Sequence, residues 1–293
     1  MLRWATSGRR KPWPRWVENG ARYTPRAVPP GELAITWVNH STFLIQAAGR
    51  ALLTDPVWSH RASPLGWVGP GRVRHPGVPF EALPPIDVAL VSHNHYDHMD
   101  LATLRRLQRT FGSRIVTTLG NKAYLERRGL RDVAELDWYD TAGPDLAGAG
   151  LAVTATPAQH FSARTPFDRN RTLWAGFALA LGGRRLLFAG DSGYHAHFAD
   201  IGARLGPFDA ALVPIGAYEP RWFMSAAHMN PDEAVRAHLD LRSRLSIAMH
   251  FGCFQLTDEG IDEPVRDLAR ALEAHRVDPL QFRVLDPGDT LVL

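Results

Sequence analysis

Short, continuous apolar runs alternate along this chain with segments whose apolar residues recur at helical spacing, the rhythm of an α/β protein. Leu33 to Gln46 reads as a strand or hairpin arm with Ala51 to Thr54 as its partner, and Ile86 to Ser92 as a buried strand. Asp100 to Phe111 carries Leu101, Leu104 and Leu107 at helical spacing behind an aspartate able to cap it. Ile115 to Thr118 and Val133 to Trp138 read as strands around a short helix near Lys122 to Arg128. In the second half, strands are expected at Leu151 to Thr156, Leu173 to Leu181 and Arg185 to Ala189, the last two joined by a Gly182-Gly183 turn. Further strands fall at Ala210 to Pro214 and Leu245 to Met249. Helices fall at about Ala196 to Leu205, Pro231 to Leu241 and Pro264 to His275, with Asn230 and Pro231 as a start signal. Trp58 to Pro85 breaks the rhythm. It is rich in Gly and Pro, and reads either as a wall of a functional site or as a surface excursion.

Composition adds limits. With 293 residues and 45% apolar content, the chain can bury a full core. No apolar stretch is long enough to span a bilayer, and the first thirty residues contain no apolar block of the signal-peptide kind, so a cytoplasmic location is the expectation. Cys253 stands alone, which excludes an internal disulfide and cysteine-type zinc sites. The net charge is only +3, but Arg3, Arg9, Arg10, Lys11, Arg15, Arg22 and Arg26 crowd the first 26 residues against Glu18, with Trp4, Trp13 and Trp16 among them. Residues 1–30 therefore read as a basic Trp/Pro-rich arm on a single domain spanning 31–293. The arm either packs its tryptophans on the body or docks peripherally on an anionic membrane. Nucleic acid is a weaker third partner for such a segment.

The densest chemistry is the run His93-Asn94-His95-Tyr96-Asp97-His98, directly after the apolar strand that starts at Ile86. Three imidazoles and a carboxylate suit a borderline-soft cation such as Zn²⁺, with Mn²⁺ or Fe²⁺ as alternatives for an N/O donor set. Four groups in six residues serve two neighbouring metals better than one. His160, Asp191 and His250 follow three other strands and could complete both sites, although each alone is a weak signal. Asp55, between a strand and Pro56, reads as an acceptor behind a ligand histidine or as a turn residue. His40 reads as lining the site or binding a phosphate oxygen, or as structural. His228 is the candidate for a leaving-group acid or a phosphate contact. Tyr218, Arg221, Trp222, Phe223 and Met224 form an aromatic and basic cluster before it.

HNHYDH resembles the HxHxDH signature of the metallo-β-lactamase superfamily, with the later His, Asp and His in that family's order. The resemblance implies a four-layer αββα sandwich with the metals at one edge of the two sheets. Flavodiiron oxidoreductases of this fold carry Glu where this chain has His95, which favours zinc hydrolysis. The segments TWVNHSTFLI, LLTDPVWS, PAQHFSARTPFDRNRTLWAGFAL, PIGAYEPRWFMSAAHMNPDEAV and MHFGCF are similar to N-acylphosphatidylethanolamine-hydrolysing phospholipase D and its bacterial relatives. That resemblance implies two Zn²⁺ per chain. His93, His95 and His160 would hold the first; Asp97, His98 and His250 would hold the second; Asp191 would bridge them. It further implies catalytic roles for Asp97, Asp191 and His228, a substrate pocket built from His40, Tyr218, Arg221 and Trp222, and a homodimer. The expected reaction is phosphodiester hydrolysis of a phospholipid by a metal-bridging hydroxide. The alternatives are a lactonase or other ester hydrolase of the ascorbate-6-phosphate lactonase-like group, a nuclease, and a binding protein without catalysis.

Overall fold

The computed structural model describes residues 10–143 and 150–293, so Arg3, Trp4 and Arg9 of the arm lie outside the described residues. The first half contains β1 (Leu33–Asn39), β2 (Thr42–Ala47), β3 (Arg50–Thr54), β4 (Val88–Leu90), α1 (Leu101–Phe111), β5 (Arg114–Thr118), α2 (Asn121–Glu126) and β6 (Val133–Leu136). There follow β7 (Thr141–Ala142), β8 (Leu151–Thr156), β9 (Gly176–Leu181), β10 (Arg184–Phe188), α3 (His197–Arg204) and β11 (Ala210–Pro214). The chain closes with α4 (Arg221–Met224), α5 (Pro231–Asp240), β12 (Ser246–Met249), α6 (Glu263–His275), β13 (Phe282–Arg283) and β14 (Thr290–Val292).

The strands form two seven-stranded mixed sheets, ordered β14-β1-β2-β3-β4-β5-β6 and β13-β12-β11-β10-β9-β8-β7. Their faces follow from the two-residue period of a strand. Phe43 and Ile45 of β2, with Val88 and Leu90 of β4, enter one core together with Val153, Phe177, Leu212 and Ile247 of the second sheet. The intervening Leu44 and Ala89 turn the other way and pack with Leu104 and Leu107 of α1 and Leu125 of α2. Each of the valine, leucine, isoleucine and phenylalanine side chains here, fully buried, contributes about 1.5–3 kcal/mol. On the far side of the second sheet, α5 packs on β11 and against α3 and α6, burying Phe198, Ile201, Val235, Leu268 and Leu272. The layers run helices, sheet, sheet, helices, which is the expected αββα sandwich.

Helix starts follow local chemistry. Asp100 accepts hydrogen bonds from the amides of Ala102 and Thr103 at the head of α1. Asn230 and Glu233 form a capping box at α5, with Pro231 in the first turn. The expected strand Leu33 to Gln46 is in fact the hairpin β1–β2, turning at His40-Ser41. Strand β4 is shorter than Ile86 to Ser92, because the Ser92 amide leaves the ladder to bond Asp55. Likewise β9 starts at Gly176, since Leu173 and Ala175 bond Leu119 and Ser92 instead. The segment 58–85 is irregular apart from a 3-10 turn, Phe80–Ala82, and isolated antiparallel bridges of Arg61 with Gly71 and Arg72 with Phe254, and it is tied down. The amides of Trp58 and Ser59 bond Asp100, and Arg72 donates to the carbonyls of Val57 and Ser59.

Topology decides where chemistry can sit. Strands β3, β4 and β5 are parallel, as are β10, β11 and β12, and β8 runs with β10 because each is antiparallel to β9. The ends of β3, β4, β8, β10 and β12 therefore gather on one edge, joined by the β1–β2 turn. Asp55, His93–His98, His160, Asp191, His250 and His40 all emerge there, the edge at which open α/β sheets place ligands. The described part of the basic arm, from Arg10 on, lies on the body. The Lys11 amide bonds the Asp258 carbonyl, Trp13 Nε1 donates to the Glu259 carbonyl, Val17 N bonds Val73 O, and Trp16 stacks edge-on against His75. Among the described residues, no helix is long and apolar enough to cross a membrane.

Candidate metal centre

Among the described residues, two of the four overlapping donor groups at this edge have no residue in common. Ligand atoms of His93, His95 and His160 converge within 4.8 Å of one another, and so do those of His40, Asp97, His98 and His250. His95 Nδ1 lies 2.8 Å from His93 Nε2 and 3.2 Å from His160 Nε2. Between the groups lies Asp191, whose Oδ2 is 3.1 Å from His98 Nε2, 3.0 Å from His250 Nε2 and 3.9 Å from His160 Nε2. Asp97 Oδ2 is 3.5 Å from His250 Nε2 and 3.4 Å from His98 Nε2.

The outer nitrogens of the histidines fix which atom faces inward. His160 Nδ1 donates to the Ala227 carbonyl at 2.9 Å, and His98 Nδ1 lies 2.5 Å from Asp55 Oδ2. Ser92 Oγ donates to Asp55 at 2.6 Å and so accepts from His93 Nδ1 at 2.9 Å. In all three imidazoles Nδ1 is held by the partner behind it and Nε2 is turned to the centre, the orientation that a metal-binding histidine requires. The donor chemistry fits divalent cations on a further count. His98 Nε2, His250 Nε2, His228 Nδ1 and Asp191 Oδ1 are buried without a hydrogen-bond partner of good geometry. Orphaned buried atoms of this kind are costly unless something else satisfies them.

Electrostatics at the centre are polarised. Burial, reinforced by neighbouring imidazoles, lowers His93 well below its usual range, His95 to about 3 and His160 to about 4, so all three are neutral donors. Burial also opposes charge on His98 and His250. The carboxylate of Asp191, joined by Asp97, overcomes it, raising His98 well above its usual value and His250 to about 9. Burial disfavours the Asp97 and Asp191 carboxylates, but the surrounding His98 and His250 hold both well below the ordinary range.

The other expected site residues are distributed unevenly. His40 is 1% exposed, and its Nε2 sits 3.0 Å from Asp97 Oδ2, so it faces that carboxylate rather than the cleft. His228 Nδ1 is 4.0 Å from Asp191 Oδ2, beside the His160 and His250 rings, and burial holds it well below its usual value. Tyr218 and Arg221 are not brought to the centre. The Tyr218 hydroxyl donates to Asp267 at 2.6 Å, while Arg221 pairs with Glu233 at 2.8 Å and donates to the His228 carbonyl. Trp222 is 62% exposed, and its ring lies tilted against that of Phe223.

Sequence reasoning missed three contributors. Ser92 relays between His93 and Asp55. Arg164 braces the ligand loop by donating to the carbonyls of Asn94 and Met99. Gly216 allows the end of β11 to run against His250, whose carbonyl would collide with a Cβ there. Only Arg164 had a visible signal, its place in the ARTPFDRNR segment.

The Beta-lactamase superfamily domain matches residues 50–251. An uncharacterised protein of Mycobacterium tuberculosis is 43% identical over 263 residues, covering 87% of this chain and 69% of that protein. N-acyl-phosphatidylethanolamine-hydrolyzing phospholipase D 1 of Caenorhabditis elegans is 39% identical over 266 residues, covering 88% of this chain and 75% of that protein. Among solved structures, a metallo hydrolase from Ignicoccus hospitalis superposes with a TM-score of 0.67 at 22% identity, covering 89% of this chain and 98% of that one.

Proposed function

Because the chain belongs to the β-lactamase superfamily, we propose that it is a metal-dependent hydrolase of phospholipase D type. It would cleave the phosphodiester of an N-acyl phosphatidylethanolamine or a related phospholipid and release phosphatidic acid. The observation that carries this reading is the pair of donor groups flanking Asp191 Oδ2. The nematode relative, whose name gives that activity, supports the choice of bond.

His93, His95 and His160 would hold one cation, Asp97, His98 and His250 the other, and Asp191 would be shared. When bound, a pair of divalent cations, zinc on this donor set, supplies Lewis acidity to phosphoryl oxygens and an ionised water at neutral pH. The protein's own contribution is orientation. Asp55 and Ser92 set the tautomers of His98 and His93, and the Ala227 carbonyl sets that of His160. His40 anchors Asp97, leaving its second oxygen to orient the attacking water. His228 is kept neutral by burial, so its ring N–H is a donor to the phosphoryl or leaving oxygen rather than a full acid.

Purified protein supplied with zinc should convert N-acyl phosphatidylethanolamine to phosphatidic acid and lose that activity on chelation. Exclusive turnover of lactones under the same conditions would overturn the assignment of the bond.

A further inference from the structure

A second cleft lies behind the ligand loop. It has a volume of about 510 Å³ and is bounded by segment 59–66, by Tyr96 and Met99 of the ligand loop, by the head of α1 and by α2. Arg61, Arg105, Arg128 and Arg164 all line it. None of these guanidiniums makes an ion pair among the described residues. The single carboxylate in the lining, Asp100, is fully engaged with the amides of Trp58, Ser59, Ala102 and Thr103 and with the Thr103 hydroxyl. Tyr124 lies between two of the arginines, with the Arg128 guanidinium 3.7 Å and that of Arg164 5.4 Å from its ring. Arg164 Nε is buried without a partner. The four donate only to backbone carbonyls, Arg61 to Gly69, Arg105 to Arg128, Arg128 to Tyr124 and Arg164 to Asn94 and Met99, so four positive charges face one carboxylate across the cleft, and the net field favours a phosphate-type anion.

The loops that supply two of these arginines also carry exposed apolar tips. After Arg61 come Leu65 at 45% exposure, Trp67 at 78% and Val68 at 45%. After Arg164 comes Phe167, 86% exposed at a turn fixed by Asp168, which accepts from the amides of Arg164 and Thr165. An aromatic tip beside an arginine-lined cleft matches the layering of a bilayer interface, with rings at the headgroup level and guanidiniums on phosphates.

We propose that this cleft is a docking site for the phosphate of an anionic membrane lipid, with Trp67 and Phe167 inserted beside it. The site is separate from the metal centre and independent of which bond that centre cleaves, so vesicle binding and hydrolysis can fail separately. Because Arg164 holds the carbonyls of Asn94 and Met99, an occupant of the cleft would bear on the loop that carries His93 to His98.

The test is co-sedimentation of the zinc-loaded protein with vesicles of phosphatidylcholine alone and of phosphatidylcholine with phosphatidylglycerol. Binding should favour the anionic vesicles. Replacing Arg105→Gln and Arg128→Gln together should weaken anionic binding by about 25-fold, at roughly fivefold per charge, and leave neutral-vesicle binding unchanged. Trp67→Ser should weaken binding to both kinds of vesicle. Unaltered zinc content and thermal melting would show that each variant is folded. Glycerol phosphate in solution should bind far more weakly than the vesicle surface. Equal binding to both vesicles, no loss in the double variant, or equally tight binding of free glycerol phosphate or of an oligonucleotide would each overturn the proposal.

Discussion

Replacing Asp55 with asparagine isolates the control of a ligand by the group behind it. Asp55 is wholly buried and takes three donors on two oxygens, Ser92 N at 2.7 Å on Oδ1, and Ser92 Oγ at 2.6 Å and His98 Nδ1 at 2.5 Å on Oδ2. Burial pushes this carboxyl up, while His98 and Ser92 pull it back. An amide of the same shape has only one acceptor oxygen. Facing Ser92 N with it turns an NH₂ toward His98 Nδ1; facing His98 turns the NH₂ toward the Ser92 amide. The backbone is not the obstacle, because asparagine tolerates the φ of +32° found here. For the neutral His98 ring that a cation needs, the favoured relief is to carry the proton on Nε2, the nitrogen 3.1 Å from Asp191, which blocks that donor. A charge-assisted hydrogen bond contributes about 1.5–3 kcal/mol, and partners behind metal ligands typically affect affinity by about 10–100-fold. These two figures agree. Asp55→Asn should therefore weaken zinc binding by one to two orders of magnitude in competition with a chromophoric chelator, while the metal-free protein still melts cooperatively. An affinity unchanged within about twofold would refute the tautomer argument.

Other perturbations separate packing from chemistry. Gly216→Ala should displace His250 and reduce zinc content by dialysis and metal analysis, and retention of both metals would show that β11 can yield. Tyr218→Phe removes the hydrogen bond to Asp267 and should cost about 1 kcal/mol of stability in a urea titration with KM unchanged; a raised KM with unaltered stability would return Tyr218 to the substrate pocket. His197, lowered to about 4 by burial and by His195, refuses in the folded state a proton that the unfolded chain takes up near 6.5. Its effect is absent above that pH, and stability is lost as pH falls toward 4. Between pH 7.5 and 5.5 the parent protein should thus lose roughly 1 kcal/mol more than His197→Asn in denaturant titrations, and parallel losses would contradict this.

What the sequence revealed depended on how local each signal was. The helices α1 and α5 could be placed from Asp100, Asn230 and Pro231, because caps act within one turn. The strands β8 and β11 were legible as written, because their apolar runs end where their ladders end. Strands β7, β13 and β14 are two or three residues long and exist only through their neighbours, so no periodicity marks them. The same divide runs through the site. His93 to His98 announces itself by density, and His160, Asp191 and His250 by following strands. His40 was visible as a candidate, but only the β1–β2 turn shows that it faces Asp97. Arg221 read as part of a substrate pocket; its pairing with Glu233 is set by the start of α5, twelve residues away. Ser92 carries no sequence signal, since a serine gains a role here only through Asp55, brought to it across the first sheet.

Hydrolysis of N-acyl phosphatidylethanolamine in ¹⁸O-labelled water tests the central claim most directly, with mass spectrometry of both products. Attack by water at phosphorus, with the headgroup oxygen leaving, places the label in phosphatidic acid and none in the N-acylethanolamine. Label in the N-acylethanolamine, or no phosphatidic acid from zinc-loaded protein, would contradict the account.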